Sequence, residues 1–318
     1  MQIDISFLTI VTATVKLSLL AFAGYALYHV KLITSEFVDG LSKVLVKLLF
    51  PALIVSKIVS NFSPAEYPFW WALPLLAIAF SLGGMALGWL GMKFLGRFES
   101  HKEFMCACGF QNCGYLPMNL IVFAFSGVVA DRLLVHVFLF CMGFDIIAWS
   151  LVPLFLSGKL RSDFKVSALF SAPVMATIFS LLWVAISGKG TMPDIVLDPV
   201  KQMGQAAFPM AMFVLGAYLH KYQAFVPGRK TPLVAVIFVK LLAFPAIVLG
   251  ALAMLPLDSE LKFFLFLQSM LPTAVSMVII GSYTNSDNKF FSSAIFYTHL
   301  FSVVTMPVWL AVFGKFIR

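Results

Sequence analysis

Long apolar stretches separated by short polar connections make up the whole sequence. Ten of them have roughly 20 residues or more, the length that crosses a bilayer as a helix. They lie at residues 6–30, 37–59, 67–92, 104–126, 132–157, 167–187, 199–219, 232–255, 262–283 and 290–314. The connections are rich in glycine, proline, serine and asparagine, which are typical of turns. The pattern predicts an all-α polytopic membrane protein with ten transmembrane helices and no sizeable domain outside the membrane.

The composition excludes several classes of function. Of the 318 residues, 61% are hydrophobic and 11% are charged, against about 25% charged in soluble proteins. The net charge of +8 comes from single Lys and Arg residues between apolar stretches, so it indicates topology rather than nucleic-acid binding. The four cysteines lack a second ligand cluster, which favours buried free thiols over a metal site. We predict no nucleic-acid partner, no metal and no cofactor.

Lys and Arg residues are distributed unequally between the two sides of the predicted membrane. Eleven lie on the side of the connections that follow odd-numbered helices, and six lie on the other side. Cytoplasmic connections carry the excess of positive charge. The sequence therefore predicts a multi-pass protein of the plasma (inner) membrane with both termini on the non-cytoplasmic side.

Three proline motifs repeat at a nearly constant spacing. They are Leu116-Pro117 and Leu271-Pro272 at an offset of 155, Pro153 and Pro307 at 154, and Phe50-Pro51 and Phe208-Pro209 at 158. Because each half holds an odd number of helices, the two halves enter the membrane from opposite sides. This predicts two inverted five-helix repeats, residues 1–157 and 167–318, joined by a cytoplasmic linker at 158–166.

Two of the predicted helices contain a helix breaker near mid-membrane. Pro117, preceded by Gly114, interrupts the fourth stretch, and Pro272 interrupts the ninth. Proline removes a backbone donor and clashes with the preceding turn, and lipid cannot satisfy the freed backbone groups. We therefore expect the two interruptions to cross near the centre of the protein and to form a binding site. A proline kink that serves only packing is the alternative.

Four groups of residues are distinctive. They are Asn112-x-Gly-x-x-Pro117, Phe208-Pro209 before Leu215-Gly216-Ala217, Lys240-Leu-Leu before Pro245, and Leu271-Pro-Thr-Ala274 before Thr305-Met-Pro-Val-Trp-Leu310. Together they resemble the auxin efflux carrier family of ten-helix transporters, over nearly the whole chain. One position departs from the family pattern, because the ninth stretch reads Ala274-Val-Ser276 where members often carry an asparagine.

This resemblance implies a fold similar to that of bile acid:sodium symporters. Helices 1, 2, 6 and 7 would form a scaffold, with a homodimer contact through helices 2 and 7. Helices 3–5 and 8–10 would form a moving transport domain in which the broken helices 4 and 9 cross. The resemblance also implies a small organic anion such as malate, malonate or auxin as the substrate.

The predicted interruptions supply groups that suit a carboxylate. The N-terminus of a half-helix presents unpaired N–H groups and about half a positive charge. The predicted substrate-binding residues are Asn112, Gly114, Tyr115, Pro117, Asn119, Gln268, Ser269, Pro272, Thr273 and Ser276. For each polar side chain, hydrogen bonding between helices is the alternative.

Asp145 and His299 are ionisable side chains in the middle of predicted helices, where they are costly in lipid. Each lies 8 residues before a proline of its half, Pro153 or Pro307. We predict that these two residues, with Lys240, carry or control a coupled proton, and sodium is the alternative coupling ion. The structural alternatives are a hydrogen bond between Asp145 and His299, and an interfacial place for Lys240.

The predicted function is secondary active transport of a mono- or dicarboxylate by alternating access. An inverted repeat with paired interruptions favours a carrier, whereas a channel would favour a continuous polar stripe along a pore. The sequence shows neither a nucleophile with its base nor clustered metal ligands, so we predict that the chain is not an enzyme. A channel and a sensor built on a transporter fold are the alternatives of another class.

Overall fold

The structure, a computed structural model, describes residues 7–96, 98–158, 170–223 and 230–316. Within these ranges the secondary structure is helical apart from one isolated β-bridge. The helices are α1 (Phe7–His29), α2 (Ser35–Val44), α3 (Phe50–Asn61), α4 (Ala72–Leu95), α5 (His101–Gly109), α6 (Tyr115–Ala124), α7 (Gly127–Ser157), α8 (Ala172–Ser187), α9 (Asp194–Gln205), α10 (Ala207–Lys221), α11 (Lys230–Phe238), α12 (Phe244–Met254), α13 (Ser259–Ser269), α14 (Ser276–Thr284) and α15 (Asn288–Phe316). The predicted linker 158–166 lies outside the described residues from residue 159 onward.

Six helical stretches of the described residues are long and apolar enough to cross a membrane. They are Leu8–His29, Ser35–Asn61, Ala72–Phe94, Gly127–Ser157, Lys230–Met254 and Asn288–Phe316. The other four predicted stretches hold shorter helices, namely α5 with α6, α8, α9 with α10, and α13 with α14. The division of the seventh stretch at Ala206 was not expected. It follows from Pro209, whose missing N–H leaves the carbonyl of Gln205 without a helical partner.

A π-helical turn precedes each of two Phe-Pro pairs. Leu45–Leu49 joins α2 to α3 before Pro51, and Val239–Ala243 joins α11 to α12 before Pro245. Because proline has no N–H, the carbonyl four residues earlier loses its helical partner, and a wider turn accommodates the change. For Pro245 that carbonyl belongs to Leu241, and it accepts a hydrogen bond from the indole N–H of Trp309 at 2.7 Å. The backbone that carries Lys240 is therefore held by a neighbouring helix.

Glycines let helices touch through their backbones. A Cβ added at Gly216 of α10 would lie 1.7 Å from the carbonyl oxygen of Ala21 in α1. One added at Gly84 of α4 would lie 2.6 Å from the carbonyl oxygen of Cys108 in α5. Helix α1 therefore packs directly on α10, and α4 packs directly on the end of α5.

One continuous apolar core surrounds the interruptions between α5 and α6 and between α13 and α14. Phe110, Met270 and Leu271, which lie in or beside these interruptions, belong to this core and are each 0% exposed. Non-helical backbone within a membrane must be shielded from lipid, because lipid offers no hydrogen bonds. The core supplies this shielding, so both interruptions lie inside the protein.

Candidate functional site

Two helix interruptions form the centre of the site. Residues 110–114 separate α5 from α6, and residues 270–275 separate α13 from α14. Pro272 lies within the second interruption, as predicted. Pro117 instead lies in the first turn of α6, where a missing N–H costs no helical hydrogen bond. The non-helical residues of the first interruption therefore lie before Tyr115, and Pro117 is not one of them.

The two interruptions cross and pair through their backbones. Gln111 and Thr273 form an antiparallel bridge. The N–H of Asn112 donates to the carbonyl of Pro272 at 2.8 Å, and the N–H of Ala274 donates to the carbonyl of Phe110 at 2.9 Å. Each interruption thus satisfies backbone groups that the other one leaves free. Non-helical backbone in a membrane protein needs such partners, because lipid offers no hydrogen bonds.

Side chains satisfy further carbonyl groups around the crossing. The Thr273 hydroxyl donates to the carbonyl of Ala107 at 2.9 Å, and the Gln268 amide donates to the carbonyl of Cys113 at 3.3 Å. The Lys240 ammonium donates to the carbonyl of Cys108 at 3.1 Å. Lys240 is 0% exposed, so the interfacial alternative for this lysine is wrong.

A cavity of about 240 Å³ lies beside the crossing. Its wall includes the N-terminal ends of both half-helices. Tyr115 and Ser276 are the first residues of α6 and α14, and Gly114 and Val275 are the capping residues before them. The rest of the wall comes mainly from α2, α3, α7, α8 and α10. Drug-sized ligands occupy pockets of roughly 300–1,000 Å³, so this cavity suits a small molecule.

Asp145 of α7 is a cavity residue. Among the described residues of the wall it is the one side chain with a full formal charge. The hydroxyl of Ser171 donates to its Oδ2 atom at 3.2 Å. The carboxyl group therefore stands where a bound molecule would meet it.

His299 of α15 reaches the site through Asn112. Its Nδ1 atom lies 2.8 Å from the carbonyl oxygen of Ile295, and its Nε2 atom lies 3.0 Å from Nδ2 of Asn112. A neutral imidazole meets both contacts when Nδ1–H donates to Ile295 and Nε2 accepts from the Asn112 amide. The predicted alternative of a structural bond between Asp145 and His299 is not found in the described part of the chain, where Asp145 bonds to Ser171 and His299 contacts Asn112 and Ile295.

A family model described as membrane transport protein matches residues 9–157 and 158–310 of the chain. The chain belongs to this family, the auxin efflux carrier family. The resemblance predicted from motifs is therefore confirmed. This family member is a multi-pass membrane transport protein and not an enzyme, as predicted.

Two relatives are similar in sequence to this chain. An uncharacterized transporter of Methanocaldococcus jannaschii is 23% identical over 301 residues, which cover 92% of this chain and 94% of the relative. The protein PIN-LIKES 7 of Arabidopsis thaliana is 24% identical over 158 residues, 46% of this chain and 40% of the relative. The similarity to the Methanocaldococcus jannaschii protein extends over nearly the whole length of both proteins.

The structure divides the predicted binding residues of this family member into two groups. Asn112, Gly114, Tyr115 and Ser276 line the cavity. The residues that do not line it are Pro117, Asn119, Gln268, Ser269, Pro272 and Thr273.

The polar residues of the second group have hydrogen bonds elsewhere in the protein. The Asn119 amide donates to the carbonyl of Tyr115 at 2.9 Å, and the Ser269 hydroxyl donates to that of Phe266 at 2.6 Å. Asn119 and Ser269 therefore stabilise their own helices, whereas Gln268 and Thr273 stabilise the crossing. Their role in substrate binding stays a prediction.

Several cavity residues were not predicted. They include Ser42, Gln111, Cys113, Cys141, Trp149, Ser171 and Tyr218. Gln111 could have been predicted as a cavity residue, because it is next to Asn112 in the interrupted stretch. Cys113 and Cys141 are free thiols, as predicted, with their sulfur atoms 3.4 Å apart. Cys113 is buried, as expected, whereas Cys141 is only half-buried. The other residues come from helices whose sequence shows no interruption, so only the folded chain brings them together.

Proposed function

We propose that this transporter moves a small organic anion, a mono- or dicarboxylate, by alternating access, coupled to protons. The observation that carries the proposal is the backbone crossing of two interrupted helices beside a cavity that both half-helix N-termini face. Such broken helices, with substrate at their free ends, are the recurring design of secondary transporters.

The architecture proposed with this function has ten membrane crossings in two inverted five-helix repeats. The equivalent positions of the two interruptions along the chain support it. So does the likeness of α7 and α15, which have 31 and 29 residues and contain Pro153 and Pro307. The positive-inside rule then places both termini on the non-cytoplasmic side.

An anion is favoured by the donors around the cavity. Each half-helix N-terminus carries unpaired N–H groups and about half a positive charge. The Asn112 amide has two N–H donors, of which His299 uses one. Gln111 is 0% exposed and its Nε2 atom has no partner among the described residues. Because an unpaired buried donor is costly, a bound carboxylate would satisfy a group that the protein leaves open.

The position of Asp145 in the cavity wall supports proton coupling. Two ionised carboxylates about 4 Å apart repel each other by roughly 4 kcal/mol at an effective dielectric constant of 20. An anion in this cavity therefore binds far better when Asp145 carries a proton, and a protonated carboxyl group can donate a hydrogen bond to it. Substrate and proton would then enter together and leave together.

His299 would extend the coupling to the crossing. Its unprotonated Nε2 atom accepts from Asn112, and a proton on that nitrogen would turn the acceptor into a donor. The Asn112 amide would have to reorient, and this amide lines the cavity. Protonation of His299 would in this way change a proposed substrate contact.

The ion pair between Lys57 of α3 and Asp131 of α7 is the proposed closure of the non-cytoplasmic side. Lys57 comes after the cavity residue Ile54 in α3. Asp131 comes before the cavity residue Phe138 in α7. The ion pair therefore lies beyond one end of the cavity. In the proposed orientation, the cavity lies between this ion pair and the cytoplasm.

Counterflow in proteoliposomes tests the proposal. Vesicles loaded with one unlabelled mono- or dicarboxylate at a time should accumulate the same labelled compound transiently and saturably. A panel of organic cations of similar size should give no accumulation. Preferential counterflow of the cations, or flux that does not saturate, would reject an organic-anion carrier.

A further inference from the structure

Lys240 is a fully buried lysine that has no acidic partner among the residues that the structure describes. Its side chain is 0% exposed, and among the described residues no carboxylate forms an ion pair with it. A buried ammonium group is costly unless its N–H groups are satisfied. Two oxygen atoms accept hydrogen bonds from it, the carbonyl oxygen of Cys108 at 3.1 Å and Oε1 of Gln111 at 3.4 Å. The ring of Phe244 lies 5.6 Å from Nζ and adds a cation–π contact.

These oxygen atoms belong to the interrupted helix itself. Cys108 lies in the last turn of α5, where carbonyl groups have no partner in the helix and carry about half a negative charge. The N–H group of Asn112, four residues on, donates instead to Pro272 across the crossing. The interruption therefore directs a backbone oxygen and an amide oxygen at one point, and Nζ of Lys240 occupies that point.

Neutral oxygens from unwound backbone and from half-helix C-termini are the ligands with which broken-helix transporters bind Na⁺. The environment of Lys240 has this chemistry, and the π-helical turn Val239–Ala243 holds the lysine in place. We propose that the Lys240 ammonium group is a built-in cation at the crossing, in the place of a free sodium ion. The transporter consequently needs no sodium to stabilise its interrupted helices.

What this inference means for transport rests on the proposed function. The Lys240 ammonium also orients the Gln111 amide, because Oε1 faces Nζ and the Nε2 donor is left for the cavity. A fixed cation cannot cross the membrane with the substrate. The driving ion of transport is therefore a different one, in agreement with proton coupling.

The test compares two variants of the purified full-length protein. Lys240→Ala vacates the space beside the Cys108 and Gln111 oxygens, whereas Lys240→Met removes the charge but fills that space. Thermal unfolding is measured in sodium chloride and in choline chloride at equal ionic strength. We expect sodium to raise the Tm of Lys240→Ala by on the order of 2–4 °C and to leave the wild type and Lys240→Met unchanged.

Lys47→Ala is the matched control, because it removes an exposed lysine from the other π-helical turn. An equal sodium effect on Lys47→Ala or Lys240→Met would overturn the proposal. So would the absence of an effect on Lys240→Ala, or sodium-dependent uptake by the wild type.

If Lys240→Ala does not stay folded in choline chloride, recovery of folded protein in sodium chloride is measured instead. Recovery in sodium alone supports the proposal, and equal loss in both salts overturns it. The measurements of unfolding and of recovered protein need no substrate. A failed carboxylate counterflow assay would therefore reject the proposed substrate without altering their outcome.

Discussion

Asn112 and His299, 187 residues apart in the sequence, meet at the centre of the protein with Nδ2 and Nε2 3.0 Å apart. Asn112 also lines the cavity and pairs its backbone N–H with the carbonyl of Pro272. One residue thus contacts the crossing, the cavity and a buried titratable ring. This arrangement is the physical basis for linking protonation to substrate binding in the proposed mechanism.

Asn112→Ala should raise the KM for a transported carboxylate roughly 10- to 100-fold, because a hydrogen bond to a charged group contributes about 1.5–3 kcal/mol. Asn119→Ala is the control, since this amide is bonded to Tyr115 within its own helix and lies outside the cavity wall. Initial rates of uptake into proteoliposomes measure both KM values. A similar rise for the two variants would contradict the place assigned to the substrate.

Asp145→Asn should abolish stimulation of uptake by an inward proton gradient but keep counterflow. Asparagine resembles the protonated carboxyl group in shape and can donate a hydrogen bond, but it cannot release a proton. Uptake and counterflow are compared under imposed pH gradients and, separately, under sodium gradients. Ser150→Ala serves as control, because this hydroxyl of α7 donates to the carbonyl of Ile146 in its own helix.

His299→Gln should change the pH profile of uptake while keeping substrate affinity within a few fold. The Gln side-chain oxygen can still accept from Asn112 but does not titrate. The measurement is KM and maximal rate over a range of pH. If both His299→Gln and Asp145→Asn keep wild-type rates and proton dependence, the coupling role is wrong and the two residues are structural.

Thr273→Val should lower the free energy of unfolding by about 1–3 kcal/mol, because it leaves the carbonyl of Ala107 buried without its partner. Thr177→Val is the matched control. The Thr177 hydroxyl is also buried but donates to the carbonyl of Pro173 within its own helix, so its loss should have a smaller effect. Thermal unfolding in detergent measures the difference. Equal destabilisation would mean that the crossing is not held by the threonine hydroxyl.

Asp131→Asn should lower the uptake rate several-fold by weakening the proposed closure, since the carboxylate of Asp131 pairs with Lys57. The exchanged variant Lys57→Asp/Asp131→Lys should recover most of the rate. Because both side chains are partly exposed, the ion pair itself contributes only about 0.2–1 kcal/mol. Failure of the exchange to recover activity would show that the charges act separately.

The sequence determined most of the places where helices form and break, although not the division at Ala206. The lengths of the apolar stretches follow from the thickness of the bilayer, and the effect of proline on the backbone is local. The interruptions near Pro117 and Pro272 and the family membership could therefore be predicted from the printed residues alone. The sequence also identified Asp145 and His299, because ionisable groups in apolar stretches are costly and conspicuous.

Only the tertiary structure decided which groups meet. Asn112 and Asn119 are both amides near one proline, yet the first faces the cavity and the second bonds to its own helix. Lys240 could reach an interface by its length, but a π-helical turn and two oxygen atoms of the crossing hold it inside. Local sequence sets the backbone path of a segment. The partner of a side chain depends on residues far along the chain, whose approach is fixed only when the helices pack together.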